Sequence, residues 1–463
     1  MFRTIHRRYL AGLTFSVLLI AGAACNSSQK KSAEETNIPS TEPSKASAKN
    51  YDSGIIYEKE LSPDNQFSYA IYLPSSGKNI SKSCLIFFDP HGDGLYPVKR
   101  YRWLADKFGV ILIGSYDLKN GMDMQQSVSV AQRLRESVQT NFKLEPSSVS
   151  VAGFSGGAKV ALASSGNTSS GTVIYCGAAF LPNTIPSLPP SLGIFGLADM
   201  NYSEVIDFGN SIAHGNMQHA LLQWNGKHEW PDSSTFQYAF YWHEFHLPDS
   251  GSTELEKDWN VFLADRKKAL TKSESALGKA MILRQEIAFA GTHQFPGEPV
   301  LALQQLLASN EFRNDSVRFT KSLEAERSEK QNYLSAFEQQ NLNWWNLAIQ
   351  KLKSGQDLKS KRLLAYVSLA SYSYSNAALK NQDWTSLEKI LEIYRLADPK
   401  NPDLAYITAC MYARQGKKDA AFLELRNAVS YGMHDRAKLE SDENLAGLRG
   451  SNEYQEILFQ VSN

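Results

Sequence analysis

The sequence predicts an α/β domain followed by an all-helical region. Up to about residue 250, short apolar runs rich in β-branched residues alternate with helical stretches long enough to connect parallel strands. From about residue 253 the strand-like runs stop, and helical spacing continues through most of the remaining chain. A glycine-rich turn at 153–157 lies between a predicted strand and a predicted helix, and the other motifs of the first region are ordered around it.

The turn at 153–157 reads Gly-Phe-Ser-Gly-Gly and matches the pattern G-x-S-x-G, with Ser155 at its centre. The β-branched run at 149–152 predicts a buried strand before it, and the apolar residues of 158–163 predict a packed helix after it. On such a turn the serine backbone is strained, and the hydroxyl lies beside the helix N-terminus. A glycine-rich loop with an incidental serine is the alternative interpretation.

A nucleophilic serine needs a base to accept its proton and an acid to orient that base. Downstream, an apolar run at 192–197 leads into Asp199, and another at 220–224 leads into a loop that contains His228. Both side chains therefore follow predicted strands, and they occur in the chain order Ser, Asp, His.

Two other carboxylates are rivals for the orienting acid. Asp207 falls within a predicted helix, and Asp232 follows His228 closely in the chain, so Asp199 at a strand end is preferred. The segment at 243–246 lacks the H-E-x-x-H spacing of a zinc helix and is interpreted as part of an amphipathic helix.

Upstream of the serine, a predicted strand leads into the segment DPHGDG at 89–94. This segment resembles the H-G-G-G loop whose backbone N–H groups face a developing oxyanion. We expect the N–H groups of Gly92, Asp93 and Gly156 to form an oxyanion hole, and His91 to hold the loop by hydrogen bonds.

Together these motifs resemble the α/β-hydrolase superfamily, in its single-domain esterase and dienelactone-hydrolase-like branch. The resemblance implies the α/β-hydrolase fold, a mostly parallel sheet with helices on both faces. It also implies a serine hydrolase in which Ser155 is the nucleophile, His228 the general base and then acid, and Asp199 the orienting acid. The substrate would be an ester or related acyl compound, with no metal and no organic cofactor.

Other stretches fit this fold. Alternating polar and apolar residues at 55–61 and 67–73 predict an antiparallel hairpin at its leading edge. The segment at 181–190 is rich in proline where larger relatives insert a cap domain, so we expect an open cleft.

Cysteines in apolar runs without close spacing are predicted to be buried thiols: Cys84, Cys176 and Cys410.

The first 25 residues are predicted to be a targeting segment. A basic start is followed by a short apolar stretch at 9–20, and small residues precede Cys25. This resembles a bacterial lipoprotein signal, in which Cys25 carries the lipid and anchors the protein in the cell envelope. Secretory cleavage near Ala23 is the alternative. The polar residues 26–50 predict a disordered linker.

The rest of the chain is predicted to contain a hydrolase domain at 51–250, a helical region at 251–365 and tetratricopeptide-like repeats at 366–463. A period of 34 residues supports the repeats, with small and large positions in the second copy at Ala409, Tyr412, Gly416, Ala421, Leu425 and Ala428. Such repeats are candidates for binding a protein or peptide. A plain helical bundle is the alternative.

Two functions follow from these patterns. The first is an exported, membrane-anchored hydrolase of carboxylic esters; the second is a catalytically idle hydrolase-fold scaffold with a protein-binding repeat region. The complete Ser-Asp-His set favours the first. Lys and Arg together number 48, as do Asp and Glu, so the chain has no net charge, which argues against nucleic acid as a partner.

The anchor is testable by a single substitution. If Cys25 carries the lipid, Cys25→Ala removes the anchor and moves the protein from the membrane fraction to the soluble fraction after cell lysis. An unchanged distribution on an immunoblot of the two fractions would rule out a lipid at this position.

Overall fold

The computed structural model describes residues 50–62, 65–75, 83–166, 171–179, 187–212, 218–247, 253–291 and 298–461. The predicted targeting segment with Cys25, the linker up to residue 49, and residues 180–186 of the proline-rich stretch lie outside this part of the chain. Within it, no helix has both the length and the apolar character needed to cross a lipid bilayer.

Eight strands form a single sheet: β1 Ile56–Leu61, β2 Ser68–Tyr72, β3 Cys84–Phe88, β4 Ile111–Ser115, β5 Val149–Phe154, β6 Val173–Cys176, β7 Ser191–Gly196 and β8 His219–Trp224. Their order across the sheet is β1-β2-β4-β3-β5-β6-β7-β8. The pairs β1–β2 and β2–β4 are antiparallel, and every other neighbouring pair is parallel. The predicted hairpin and the predicted α/β-hydrolase fold are confirmed by this arrangement.

Five helices lie between the strands or directly after the last one: α1 Leu95–Phe108, α2 Met124–Phe142, α3 Gly156–Ser164, α4 Tyr202–Ile212 and α5 Ser233–Phe245. The chain beyond them is helical, as predicted: α6 Thr253–Lys272, α7 Ala276–Phe289, α8 Glu298–Ala308, α9 Asn310–Gln339, α10 Leu342–Ser354, α11 Leu358–Lys380, α12 Trp384–Ala397, α13 Pro402–Arg414, α14 Lys418–Ser430, α15 Arg436–Ser441 and α16 Asn452–Val461. Short 3-10 helices occur at Pro146–Ser148 and Glu443–Leu448.

The central strands are buried on both faces of the sheet. On β3, Ile86 and Phe88 pack with residues of α2, α3 and α4, whereas Leu85 and Phe87 pack on the opposite face with residues of α1 and α5. Alternation of side chains along a strand produces this division. Because both faces are covered, these strands read as continuous apolar runs in the sequence. The three cysteines in the described chain are buried free thiols, as predicted.

Helices after the sheet complete both faces of its core. The rings of Phe262 on α6 and Phe289 on α7 stack with centroids 4.6 Å apart, in the core on the α1 and α5 face. Leu323 on α9 belongs to the core on the other face. The compact unit that contains the sheet spans Lys45–Tyr333 and Leu352–Leu363. It is therefore longer than the hydrolase domain predicted at 51–250.

The described residues of the second compact unit form helices and the turns that connect them, and they fall within Leu334–Lys351 and Leu364–Asn463. Helices α13 and α14 form a helix–turn–helix with Gly416 in the turn at φ +74°, where the second repeat copy is predicted. Four of the predicted repeat positions are fully buried there: Ala409, Ala421, Leu425 and Ala428. The tetratricopeptide assignment itself stays a prediction.

The contribution of α6 to the core leads to a stability prediction. Phe262 is 1% exposed, so Phe262→Ala should lower the free energy of unfolding by about 3–5 kcal/mol. Its neighbour Val261 is 56% exposed, and Val261→Ala should stay within about 0.5 kcal/mol of the parent. Urea denaturation followed by tryptophan fluorescence measures both. Equal effects of the two substitutions would mean that α6 does not pack on the sheet.

Candidate active site

Ser155 lies on a tight turn between β5 and α3. Its backbone has φ +52° and ψ −118°, a conformation that side-chain-bearing residues rarely adopt, so the strain expected from the sequence is present. The flanking glycines make the turn possible. A Cβ on Gly153 would lie 2.1 Å from the carbonyl oxygen of Gly157, and one on Gly157 would lie 2.0 Å from that of Phe88. Larger residues at either position would push strand and helix apart.

The structure brings the three predicted side chains together. His228 Nε2 lies 2.9 Å from Ser155 Oγ, and His228 Nδ1 lies 3.0 Å from each carboxylate oxygen of Asp199. The Asp199 side chain is 1% exposed, whereas that of His228 is 18% exposed. The buried Asp199 carboxylate thus orients the His228 imidazole, which solvent and small molecules can still reach. This is the geometry required of a nucleophile, its base and the acid that orients the base.

Hydrogen bonds from Asn201, in the same turn, also hold Asp199 in place. The Asn201 N–H donates to Asp199 Oδ1 at 2.8 Å, and the Asn201 side-chain amide donates to the Gly177 carbonyl at 3.0 Å. Gly177 follows β6 with φ +67°, and a Cβ there would lie 3.0 Å from Asp199 Oδ2 and 3.3 Å from His228 Nδ1. The close approach of the acid and the base therefore depends on the missing side chain of Gly177.

The rival acids have other partners. Asp207 lies on α4, as predicted, and forms an ion pair with Arg327. Asp232 is the N-terminal cap of α5 and accepts the Thr235 N–H at 2.7 Å. Partial burial raises the pKa of Asp232, but hydrogen bonds from Ser234 and Thr235 outweigh it and hold this pKa below its usual value.

Two other histidines near the sheet are occupied by structural hydrogen bonds. His243 Nδ1 lies 2.7 Å from Ser150 Oγ, and His219 Nε2 lies 2.7 Å from the Tyr175 hydroxyl. Burial lowers the pKa of His243 to about 4 and that of His219 to about 3. Both imidazoles are therefore neutral at pH 7. The structure places only His228, of the described histidines, against Ser155.

The loop after β3 differs in one respect from expectation. The Gly92 N–H donates to the Asp89 carbonyl at 3.1 Å, so it is used within the turn instead of facing a substrate. Among the described residues, the N–H groups of Asp93 and Gly156 donate to no protein acceptor. The Asp93 carboxylate accepts the Tyr96 N–H at 3.1 Å, at the start of α1. The N–H groups of Asp93 and Gly156 are therefore still available as donors, whereas that of Gly92 is not.

Asp89, which the sequence patterns did not single out, anchors this loop. One carboxylate oxygen accepts the backbone N–H of His91 at 2.8 Å, and the other accepts the indole N–H of Trp230 at 2.8 Å. Trp230 stands two positions after His228, so one buried carboxylate joins the oxyanion loop to the histidine loop. The signal for its role was its place directly after the buried strand β3; Asp199 likewise lies in the loop that follows a buried strand, β7. The His91 ring, expected to hold the loop, is 78% exposed, and its Nδ1 lies 3.4 Å from the Asp89 carboxylate.

Side chains of helix α1 hold the loop that carries His228. The Tyr101 hydroxyl and the Arg100 Nε both donate to the Pro231 carbonyl, at 2.7 and 3.1 Å.

Asn120, in the loop after β4, is a further polar residue at the serine turn. It donates its backbone N–H to the Pro90 carbonyl at 2.8 Å. Its side chain covers Gly156, because a Cβ on that glycine would lie 1.9 Å from Asn120 Oδ1. Asn120 is thus a further polar group at the turn that no sequence pattern indicated.

No protein-family model matches the sequence, and no curated protein sequence matches it. Solved structures similar to this chain include an esterase from Pyrobaculum calidifontis, 12% identical at a TM-score of 0.33, which covers 41% of this chain and 83% of its own. An S-formylglutathione hydrolase from Agrobacterium tumefaciens is 14% identical at a TM-score of 0.33, covering 42% of this chain and 94% of its own.

A third is an S-formylglutathione hydrolase from Staphylococcus aureus, 15% identical at a TM-score of 0.30, covering 38% of this chain and 92% of its own. The three structures are thus an esterase and two S-formylglutathione hydrolases. At such identities and TM-scores the similarity carries no conclusion about the substrate or the chemistry of this chain, which are argued from its own residues.

The dependence of the acid–base contact on Gly177 can be tested without any substrate. Gly177→Ala should displace His228 from Asp199, so the downfield proton resonance of a hydrogen-bonded imidazole Nδ1–H should disappear from the NMR spectrum. Gly121 is the matched control, since it also has positive φ, at +92°, but no atom lies within 4 Å of the position that a Cβ would occupy. Gly121→Ala should cost about 1–2 kcal/mol of backbone strain and keep the resonance. Retention of the resonance in Gly177→Ala would contradict the packing described.

Proposed function

We propose that this protein is an exported, membrane-anchored serine hydrolase that cleaves carboxylic esters. The observation that carries the proposal is the continuous hydrogen-bonded chain from Ser155 Oγ through His228 to the buried Asp199. The strained backbone of Ser155 and the N-terminus of α3 beside it add support, because a structural serine has no need of either.

In the acylation step, Ser155 Oγ attacks the carbonyl carbon of the ester while His228 Nε2 accepts the hydroxyl proton. The carbonyl π electrons move onto oxygen, and the N–H groups of Asp93 and Gly156 stabilise that oxyanion. Asp199 keeps the Nδ1 proton on His228 and stabilises the imidazolium that forms. When the tetrahedral intermediate collapses, His228 gives its proton to the leaving alkoxide, and an acyl-serine remains.

In the second half of the reaction, water takes the place of the alcohol. His228 accepts a proton from the water, and the resulting oxygen attacks the acyl carbon through a second oxyanion held at the same N–H groups. Collapse returns the proton to Ser155 and releases the carboxylic acid. This sequence needs no redox agent and no bound cation, since every proton and electron pair stays among the substrate, water and the three side chains.

The helical unit and the N-terminus belong to the same proposal. Cys25 would carry the lipid that keeps the enzyme at the cell envelope. The helices α12, α13 and α14 would bind a protein or peptide, as expected for tetratricopeptide-like repeats. The retained Ser-His-Asp arrangement weighs against an idle scaffold.

Turnover of p-nitrophenyl acetate tests the roles of the three side chains. Ser155→Ala and His228→Ala should abolish it above the buffer background. Asp199→Asn should keep the fold but lower kcat by about four orders of magnitude, because the amide favours the wrong imidazole tautomer. Asp207→Asn is the matched control and should leave kcat unchanged, since Asp207 is paired with Arg327 away from His228. A correctly folded parent protein without turnover on short and long acyl esters would favour the idle scaffold.

A further inference from the structure

Behind the turn that carries Asp199 lies a buried ionic cluster, formed by Glu326 and Lys330 on α9 and Arg362 on α11. All three residues belong to the compact unit that contains the sheet. The side chain of Glu326 is 0% exposed, and those of Lys330 and Arg362 are each 9% exposed. Glu326 accepts Arg362 Nε at 2.9 Å and Nη2 at 2.6 Å, a forked pair, and Lys330 Nζ lies 3.0 Å from its other oxygen.

Both cations of the ionic cluster donate to the backbone on either side of Asp199. Arg362 Nη1 donates to the Leu197 carbonyl at 2.8 Å, and Lys330 Nζ donates to the Met200 carbonyl at 2.7 Å. No backbone N–H of the described chain donates to either carbonyl. A buried carbonyl without a donor is costly, so the two cations satisfy groups that the turn leaves open.

The need for donors to these two carbonyls explains why charged side chains occupy this buried position. Burial of two cations and one carboxylate is expensive, and apolar side chains of similar size often replace an ion pair without loss of stability. Apolar side chains, however, cannot donate to the two carbonyls. Glu326 pairs with both cations, and the Asp199 carboxylate adds a further favourable charge interaction with Lys330. Burial raises the pKa of Glu326, but Arg362 and Lys330 outweigh it and hold that pKa below its usual value, so Glu326 is ionised at neutral pH. Burial lowers the pKa of Lys330, and the charge of Glu326 opposes that effect.

We propose that Lys330 and Arg362 are positioning residues for catalysis, which hold the Leu197–Met200 turn so that the Asp199 carboxylate meets His228 Nδ1. Neither side chain touches the reacting atoms. The inference rests on the proposed hydrolase function for its kinetic consequence, but its geometric content concerns only the Asp199–His228 contact. On this proposal, α9 and α11 contribute to the active site, because they supply hydrogen-bond donors that the sheet and its loops lack.

The test compares Lys330→Met with Lys359→Met in the full-length protein. Lys359 lies on α11 and pairs with Glu329 on α9, so the control removes an ion pair between the same two helices at a more exposed position. Lys330→Met should lower kcat for p-nitrophenyl acetate about tenfold or more, since small displacements of a catalytic group are costly. KM should change less than about twofold, because the substrate contacts remain. Lys359→Met should match the parent in both constants.

A double-mutant cycle separates positioning from general destabilisation. If Lys330 acts through Asp199, then Lys330→Met should cause no further loss in an Asp199→Asn background. Equal losses in both backgrounds, or no loss in the parent, would overturn the proposal. If Lys330→Met does not fold, Lys330→Gln and Arg362→Lys, which keep hydrogen-bond donors, take its place in the same cycle.

The downfield imidazole Nδ1–H resonance gives a readout that needs no turnover. It should weaken or broaden in Lys330→Met and persist in Lys359→Met. If the parent shows the resonance but no esterase activity, the proposed function fails while the positioning role can still be scored. If the resonance is identical in all three proteins, the positioning role fails whatever the activity.

Discussion

The strained backbone of Ser155 is the feature on which the rest of the site depends. A residue at φ +52° and ψ −118° is held there only if its surroundings fix it, and here they do so by close packing. Gly153, Gly157 and the backbone of Phe88 approach one another so closely that no side chain fits between them. This contact joins β3, β5 and α3 at the carboxyl edge of the sheet. It leaves the serine partly exposed above the edge, at the start of a helix.

The other groups of the candidate site reach the serine because parallel strands end at the same edge. Asp89 follows β3, Asp199 follows β7 and the His228 loop follows β8. Their relative positions are then adjusted by a few buried hydrogen bonds, above all from the Trp230 indole and the His91 N–H to Asp89. Lys330 and Arg362 hold the Leu197–Met200 turn, which carries Asp199. Rigid strands supply the placement, and buried polar contacts from distant helices refine it.

The sequence was sufficient for the fold and for the order of the candidate site, because these depend on local patterns. A strand followed by a polar loop is visible in a short window, which is how Ser155, Asp199 and His228 were found. The contacts made by Arg362 with Leu197 span 165 positions, and those of Trp230 with Asp89 span 141, so no local pattern predicts them. For the same reason the packing of α6, α7 and α9 on the sheet was not foreseen. Gly92 was expected to face the substrate, yet a turn hydrogen bond, which the motif alone does not reveal, uses its N–H.

The central claim is that Ser155 is nucleophilic because His228 and Asp199 make it so. The most direct measurement is peptide mass spectrometry of the folded protein after treatment with a fluorophosphonate, which reacts with activated serines. The account predicts a phosphonyl adduct on Ser155 at neutral pH, and no adduct at this position when His228 is replaced by alanine. A folded protein that acquires no adduct, or acquires it on another serine while Ser155 stays unmodified, would contradict the account.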